Sequence, residues 1–268
     1  MLPAFEIVLQ QVPPETPLKD FMTTDVFSVR TDMDQEEVAK IVARYDILAV
    51  PVVDQTNRLV GIVTVDDVID IFRREATEDI LKMAGVGEEF VETKSVWKST
   101  RTRLPWLFAS CVGGIIAFLI IGNYETTLRK IAALAAFIPV IMGMGGNIGT
   151  QSSTIVVRGL ATGRLHIRDL WSVVFKELSI GFILGLVYGL LIGTVAQFSY
   201  SKEVLAVSVC FAVISSMSVA ALIGSLVPMG FARINIDPAV ATGPFVTTAI
   251  DIISVSFYFL IATALLGL

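Results

Sequence analysis

The sequence predicts an α-helical membrane protein with five transmembrane helices, preceded by a small α/β domain and a connecting helix. The 268 residues are 54% hydrophobic and have a mean hydropathy of +0.75, which is too apolar for an ordinary soluble domain. Residues 1–103 carry a net charge of −7, whereas residues 104–268 carry +2. The second part also holds five apolar runs that are long enough to cross a bilayer.

The first 16 residues have little pattern and are expected to be a linker or the remnant of a preceding domain, because prolines bracket them. Residues 17–76 are predicted to form the α/β domain, with Val38, Ile41 and Val42 on one face of its first helix. The predicted elements are a strand at 26–30, a helix at 34–45, strands at 48–53 and 59–63, and a helix from Val65.

This order of elements, together with the sequences LAVPVVD and LVGIVTVDDV, resembles a CBS domain. One complete copy covers residues 22–72, and the remnant before it is expected to belong to another copy. CBS modules generally work in pairs that frame a nucleotide cleft. The resemblance therefore implies a nucleotide site at Thr64 and Asp67, of which this chain holds one half.

Carboxylates are concentrated between residues 34 and 79. Divalent cations such as Mg2+ take oxygen ligands, and clustered carboxylates repel one another less when a cation lies between them. A solvated acidic face is the alternative explanation. The acidic residues are Asp34, Glu36, Glu37, Asp46, Asp66, Asp67, Asp70, Glu75, Glu78 and Asp79.

Residues 77–103 are expected to form a charged connecting helix, interrupted near Gly85. Its basic end suits the cytoplasmic surface of a membrane. A second basic group lies between the second and third apolar runs, so the positive-inside rule places that loop and the N-terminus in the cytoplasm and the C-terminus outside. The two groups are Lys94, Lys98, Arg101 and Arg103, and Arg158, Arg164, Arg168 and Lys176.

The membrane part, residues 104–268, has two stretches rich in glycine. The third apolar run carries a glycine at every fourth position from Gly181 to Gly193, which predicts close packing against another helix. Residues 143–151 combine glycines with polar side chains, which suits either a path through the protein or a tight helix crossing. The predicted spans are 104–122, 131–157, 178–198, 204–229 and 244–266.

One carboxylate, Asp251, lies inside the last apolar run, about 10 Å along a helix that begins near Pro244. A charge at the bilayer centre costs about 2.5–3.5 kcal/mol on insertion scales, so such a group usually faces an ion, a cavity or a partner. Thr247, Ser254 and Tyr258 share its helix face. The sequence predicts an ion path at Asp251, with a hydrogen bond that packs two helices as the alternative.

Several functional classes fit poorly. The acidic first part disfavours nucleic acid as a partner. A membrane metalloprotease would need a zinc motif such as H-E-x-x-H, and His166 is the single histidine, so an enzyme is not expected. A non-conducting sensor or scaffold that contains a CBS domain, and a carrier coupled to an ion gradient, remain alternatives to a channel.

The stretches FIPVIMGMGGNIGTQSSTIVVRGLATG and IDPAVATGPFVTTAIDIISVSFY, behind a CBS domain, resemble the MgtE family of magnesium channels over residues 17–268. The resemblance implies a homodimer in the plasma or inner cell membrane, with its pore at the dimer interface and no protein substrate. Mg2+ would be both the transported ion and a regulator that gates the pore through a plug helix at about residues 78–98.

The resemblance also implies roles for individual residues. Asp251 would bind hydrated Mg2+ in the pore, with Asp237 at its cytoplasmic mouth and Asn147 on its wall. Thr247, Thr248 and Ser254 are expected to line it. The regulatory Mg2+ ligands would be Asp34, Glu36, Asp46, Asp67, Asp70, Glu75, Glu78 and Asp79.

Overall fold

The structure is a computed structural model that describes residues 13, 17, 26–86 and 95–267. The chain divides into two compact units, Met1–Phe72 and Arg73–Leu268. The first unit is a small α/β domain and the second contains the predicted membrane helices.

The α/β unit contains a three-stranded sheet in the order β1-β2-β3. β1 is parallel to β2, and β2 is antiparallel to β3. The predicted first strand is shorter than expected, because only Val29 and Arg30 pair with β2. The elements are β1 (Val29–Arg30), α1 (Gln35–Tyr45), β2 (Ala49–Val53), β3 (Leu59–Thr64) and α2 (Val65–Met83), which continues into the second unit.

A small apolar core holds these elements together. Asp34 caps α1 by accepting a hydrogen bond from Glu36 N at 2.8 Å, and Asp46 ends the helix in the left-handed conformation. The apolar face of α1 packs against the sheet. The buried core residues are Val29, Val38, Ala39, Val42, Val50 and Val68.

Among the described residues, five helices are long and apolar enough to cross a bilayer, which confirms the predicted number of spans. They extend beyond the apolar runs into polar residues at their ends. The elements are α3 (Val96–Asn123), α4 (Glu125–Lys130), α5 (Ala133–Ala161), α6 (Leu170–Tyr200), α7 (Glu203–Arg233), α8 (Pro238–Thr242) and α9 (Pro244–Leu266), with a 3-10 turn at Ile167–Asp169.

The predicted connecting helix at 77–103 is interrupted at Gly85, where the sequence placed the break. Its first residues belong to α2, which ends at Met83, and Gly85 follows in the left-handed conformation with φ of +70°. A residue in this conformation terminates a helix. Its last residues form the start of α3, and residues 87–94 of the predicted plug helix lie outside the described residues.

Glycines bring α6 and α7 into close contact. A Cβ on Gly181 would lie 2.8 Å from Met217 O, and one on Gly193 would lie 3.1 Å from Ala206 O. The two helices therefore run antiparallel with their backbones nearly touching, and side chains at these positions would separate them. The spacing of four glycines in the sequence predicted this kind of packing.

The glycine-rich centre of α5 forms an unbroken helix. A Cβ on Gly224 of α7 would collide with Gly149 O, and a Cβ on Gly145 would lie 2.6 Å from Ser216 Oγ. Tight helix crossing therefore accounts for two of the four central glycines of α5. The other two, Gly143 and Gly146, contact no neighbouring helix this closely.

Replacing Gly224 with alanine should destabilise the protein by about 1–3 kcal/mol, because the new methyl group collides with backbone that cannot rotate away. The matched control is Gly230→Ala in the same helix, where no atom lies within 4 Å. That control should be neutral or stabilising by up to about 1 kcal/mol, because alanine favours helix. Unfolding in a detergent titration measures both, and equal stability of the two variants would contradict the close approach.

Candidate cation pathway

Asp251 lies on α9 and has no polar partner in the part of the chain that the structure describes. It is half-buried, and among the described residues its carboxylate has no hydrogen bond and no ion pair. A Cβ on Gly146 of α5 would lie 4.0 Å from Asp251 Oδ1, so the missing side chain at Gly146 leaves space beside the carboxylate. A carboxylate with free oxygens inside an apolar helix is suited to bind a cation.

Polar groups of α5 lie next to this carboxylate. Gly143, Asn147, Thr150 and Gln151 are all exposed in the single chain, and their spacing places them on one face of α5. Asn147 directly follows Gly146 and therefore lies at the level of Asp251. The structure thus brings Asn147 and Asp251 to neighbouring helices at a similar height.

The three other residues predicted to line the pore have different positions. Ser254 is buried and its hydroxyl lies 2.7 Å from Ser216 Oγ, so it packs α9 against α7 and the prediction that it lines a path is corrected. Thr248 packs against Gly113 of α3. Thr247 is half-buried and donates to the carbonyl oxygens of Gly243 and Pro244 at 3.3 Å.

Further polar contacts hold α9 in place on the C-terminal side of Asp251. Tyr258 is fully buried and donates a hydrogen bond to Leu134 O at 2.8 Å. Ser216 donates to Ile141 O at 3.3 Å, which connects α7 to α5 beside Ser254. These contacts position α9 relative to α5, and therefore position Asp251 next to Gly146.

Asp237 is paired rather than free. Its carboxylate accepts a hydrogen bond from Ala239 N at 2.8 Å, which caps α8, and another from Lys82 Nζ at 2.7 Å. Lys82 also pairs with Glu78 one turn earlier in α2. A lysine near the end of α2 thus bridges one residue predicted to be regulatory and one predicted to lie at the pore mouth.

The electrostatics of Lys82 follow from this bridge. Partial burial is the largest single effect and lowers the pKa of Lys82, but the hydrogen bonds to Asp237 and Glu78 outweigh it. The pKa of Lys82 is therefore raised above its usual value, and the side chain remains an ammonium ion throughout the physiological range.

The chain around Lys82 also packs tightly. Gly243, between α8 and α9, is buried, and a Cβ there would lie 2.9 Å from Met83 O. A Cβ on Gly85 would lie 3.3 Å from the ring of Pro244, the first residue of α9. Trp106 of α3 packs edge-on against Phe245 with 5.8 Å between ring centres. The C-terminal end of α2 therefore contacts the start of the helix that carries Asp251.

The match to known families follows the two units. A family model described as "Divalent cation transporter", MgtE, matches residues 138–261, which include α9 and most of α5. A CBS domain model matches residues 18–74. The membrane part of this chain belongs to the MgtE family.

Individual relatives agree with this assignment. "Magnesium transporter MgtE" of Bacillus subtilis is 39% identical over 251 residues, which cover 94% of this chain and 56% of the relative. The protein of the same name from Thermus thermophilus is also 39% identical, over 94% of this chain and 56% of its own length. The chain thus spans about half the length of these relatives, which carry the name of a transporter rather than of an enzyme.

The CBS part has other relatives. "Inosine-5'-monophosphate dehydrogenase" of Korarchaeum cryptofilum is 42% identical over 59 residues, which are 22% of this chain and 12% of that protein. In the present structure the groups predicted for a nucleotide are paired with each other, because Asp67 accepts hydrogen bonds from Thr64 N at 3.1 Å and Thr64 Oγ1 at 2.7 Å. These hydrogen bonds lower the pKa of Asp67.

The carboxylates predicted to be regulatory have local roles in the single chain. Asp34 is the N-cap of α1 and Asp46 is its C-cap. Glu36 forms an ion pair with Lys40 at 2.8 Å, and Glu78 forms one with Lys82. Asp70 is exposed, and Glu75 and Asp79 are half-buried. Within the described residues, no three acidic, histidine or cysteine side chains gather into a metal site.

Two residues were missed by the sequence reasoning, one near the end of α2 and one in the membrane part. Lys82 carries no motif, so only its contact with Asp237 identifies it. Glu177 lies four residues before Gly181 and is only 3% exposed in α6. Its position in the same four-residue series as the glycines was the available signal, because that series predicts a side chain pointing at α7.

The Lys82–Asp237 pair should couple measurably in a double-mutant cycle built from Lys82→Met and Asp237→Asn. Both side chains are about one-third exposed, so we expect a coupling of about 0.5–1 kcal/mol in the free energy of unfolding. The asparagine can still cap α8, which isolates the ionic contact. A coupling of zero would mean that the two side chains do not meet in solution.

Proposed function

We propose that this chain transports Mg2+ across a cell membrane as part of an MgtE-type channel. The observation that supports this most directly is the unpartnered carboxylate of Asp251 beside Gly146. The relatives named magnesium transporters support the choice of ion. The substrate of the proposal is hydrated Mg2+, which sheds its waters reluctantly and suits sites with few carboxylates.

The transport path in this proposal is shared by two copies of the chain. The exposed face of α5 is polar although it lies in a membrane-spanning helix, and lipid would not satisfy groups such as Asn147 and Gln151. A two-fold homodimer would place two Asp251 carboxylates and two Asn147 amides around one hydrated ion. Asp237, ahead of α8, would lie at the entrance.

We further propose a cytoplasmic entrance. The basic loop between α5 and α6 favours the cytoplasmic side, which puts the N-terminus there and the C-terminus outside. Asp237 lies in the loop between α7 and α8, and this loop is on the same side because α6 and α7 cross the membrane once each.

The gate in this proposal involves the contact between the C-terminal end of α2 and Gly243, the residue before α9. The eight carboxylates assigned above would bind Mg2+ when its cytoplasmic concentration is high, with a second subunit completing the sites. A ligand that binds one state better shifts the population by its differential affinity. The end of α2 has a direct contact through which it would move α9. Met83 O lies against Gly243, and the neighbouring Lys82 is bonded to Asp237.

Replacing Asp251 with asparagine should abolish Mg2+ uptake into proteoliposomes driven by a Mg2+ gradient and a membrane potential alone. The amide keeps the shape but removes the charge that attracts the ion, so we expect at least a tenfold loss. Glu203→Gln, an exposed carboxylate at the start of α7, is the matched control and should transport normally.

Three other outcomes are informative. Uptake that is unaffected in the Asp251 variant would remove this residue from the path. Absence of uptake by the unmodified chain would favour a non-conducting sensor or scaffold. Uptake that needs a Na+ or H+ gradient would identify a coupled carrier.

Removing Asp67 and Glu78 together, as Asp67→Ala and Glu78→Ala, should weaken the inhibition of uptake by Mg2+ on the cytoplasmic side. We expect the half-inhibiting Mg2+ concentration to rise at least tenfold. The control removes the same charge from nearby acids outside the assigned set, Glu37→Ala with Asp66→Ala. The sensor assignment is wrong if the two double variants respond alike to Mg2+.

A further inference from the structure

The corner between α5 and α6 carries three arginines that the proposed pathway does not use. Arg158 lies in the last turn of α5, Arg164 in the loop that follows, and Arg168 in the 3-10 turn before α6. All three are exposed, and within the described residues none of their side chains has a hydrogen bond or an ion pair. Each guanidinium group therefore keeps its N–H donors available for a ligand.

The fold of this corner brings the first two arginines together. Leu165 N donates a hydrogen bond to Gly159 O at 2.9 Å, and a Cβ on Gly159 would collide with the Leu165 side chain. Arg158 and Arg164 directly precede these two bonded residues, so they start from adjacent points of the backbone. The apolar side of the corner packs inward, through Leu160, Leu165 and Leu170 against Val156, Val173 and Met229.

The nearby acids leave these positive charges unbalanced. Asp169 accepts a hydrogen bond from His166 N at 3.0 Å and lies 3.6 Å from His166 Nδ1, so its carboxylate is held within the turn. Glu177 is only 3% exposed. Lys176 is exposed and adds a further cation at the start of α6. The surface of the corner is therefore strongly positive.

An exposed row of aromatic side chains begins directly beside these cations. Trp171 and Phe175 are 66% and 63% exposed, and their ring centres lie 6.5 Å apart. Phe182 is also exposed, and spacings of four and seven residues place all three on one face of α6. We call this face the aromatic ridge. Tryptophan in a membrane helix favours the level of the lipid headgroups, which puts Arg168, three residues earlier, at the same level.

We propose that the α5–α6 corner and the aromatic ridge together bind one anionic phospholipid. Its phosphate would accept hydrogen bonds from the guanidinium groups of Arg158, Arg164 and Arg168, a pairing for which arginine geometry is well suited. Its acyl chains would lie along the ridge, which belongs to a membrane-spanning helix. This binding site goes beyond the proposed Mg2+ transport and does not depend on it.

The charge of the corner selects the kind of lipid. A phosphatidylcholine headgroup carries its own ammonium group, which the arginines would repel, whereas a phosphatidylglycerol headgroup is a net anion. The preference for the anionic lipid should weaken as salt increases, because exposed charges are screened. The ridge distinguishes a lipid from a free anion, since only a lipid has chains that cover it.

The test is the thermal stability of the purified full chain in detergent, titrated with phosphatidylglycerol or with phosphatidylcholine of the same acyl chains. Phosphatidylglycerol should raise the melting temperature at a lower mole fraction than phosphatidylcholine does. Arg164→Gln with Arg168→Gln should raise the half-saturating mole fraction of phosphatidylglycerol at least tenfold. Glycerophosphoglycerol, the headgroup without chains, should have no effect at the same concentration.

The matched control is Arg129→Gln with Lys130→Gln, which removes two exposed cations of α4, next to the opposite end of α5. It should keep the response of the unmodified chain. The proposal is overturned if the two lipids stabilise equally, if the two double variants respond alike, or if the free headgroup acts as strongly as the lipid. Should the arginine double variant fail to fold, the exposed Arg158→Gln decides. It should raise the half-saturating mole fraction at least threefold, and an unchanged value would equally contradict the site.

Discussion

The close approach of helix backbones at glycines is the constraint on which the membrane part depends. Gly149 meets Gly224, and Gly181 meets the backbone of α7, so α7 lies between α5 and α6 with almost no side chain in between. Polar groups inside these contacts can then bond across helices, as Ser216 does with Ser254. That arrangement determines where α9 lies, and therefore where the carboxylate of Asp251 stands relative to α5.

Three acidic residues of the membrane part have three different electrostatic environments. Asp237 is neutralised by Lys82 and caps a helix. Asp251 is half-buried beside a glycine and retains free oxygens. Glu177 is only 3% exposed and lies one turn before Gly181, on the face of α6 that packs against α7. Because a carboxylate inside an apolar helix is costly without a partner, Asp251 is the place where a mobile cation would contribute most.

The contact between the end of α2 and the start of α9 gives the connecting segment a physical means of influencing the membrane helices. Met83 O lies against Gly243, and Lys82 is held by Asp237. Under the proposed function, a regulatory Mg2+ ion would act at this contact by competing with the ammonium group for the oxygens of Glu78 and Asp237.

The sequence by itself determined the five spans, the α/β domain and the position of Asp251 inside the last apolar helix, because the length and periodicity of apolar runs depend on neighbouring residues alone. It also predicted close packing at the Gly181 series. Tertiary structure decided that Ser254 bonds to Ser216 and that Lys82 holds Asp237. Those pairings join residues that are far apart in the chain. Which residues meet depends on the rotation and the height of each helix, and both follow only from how the helices pack.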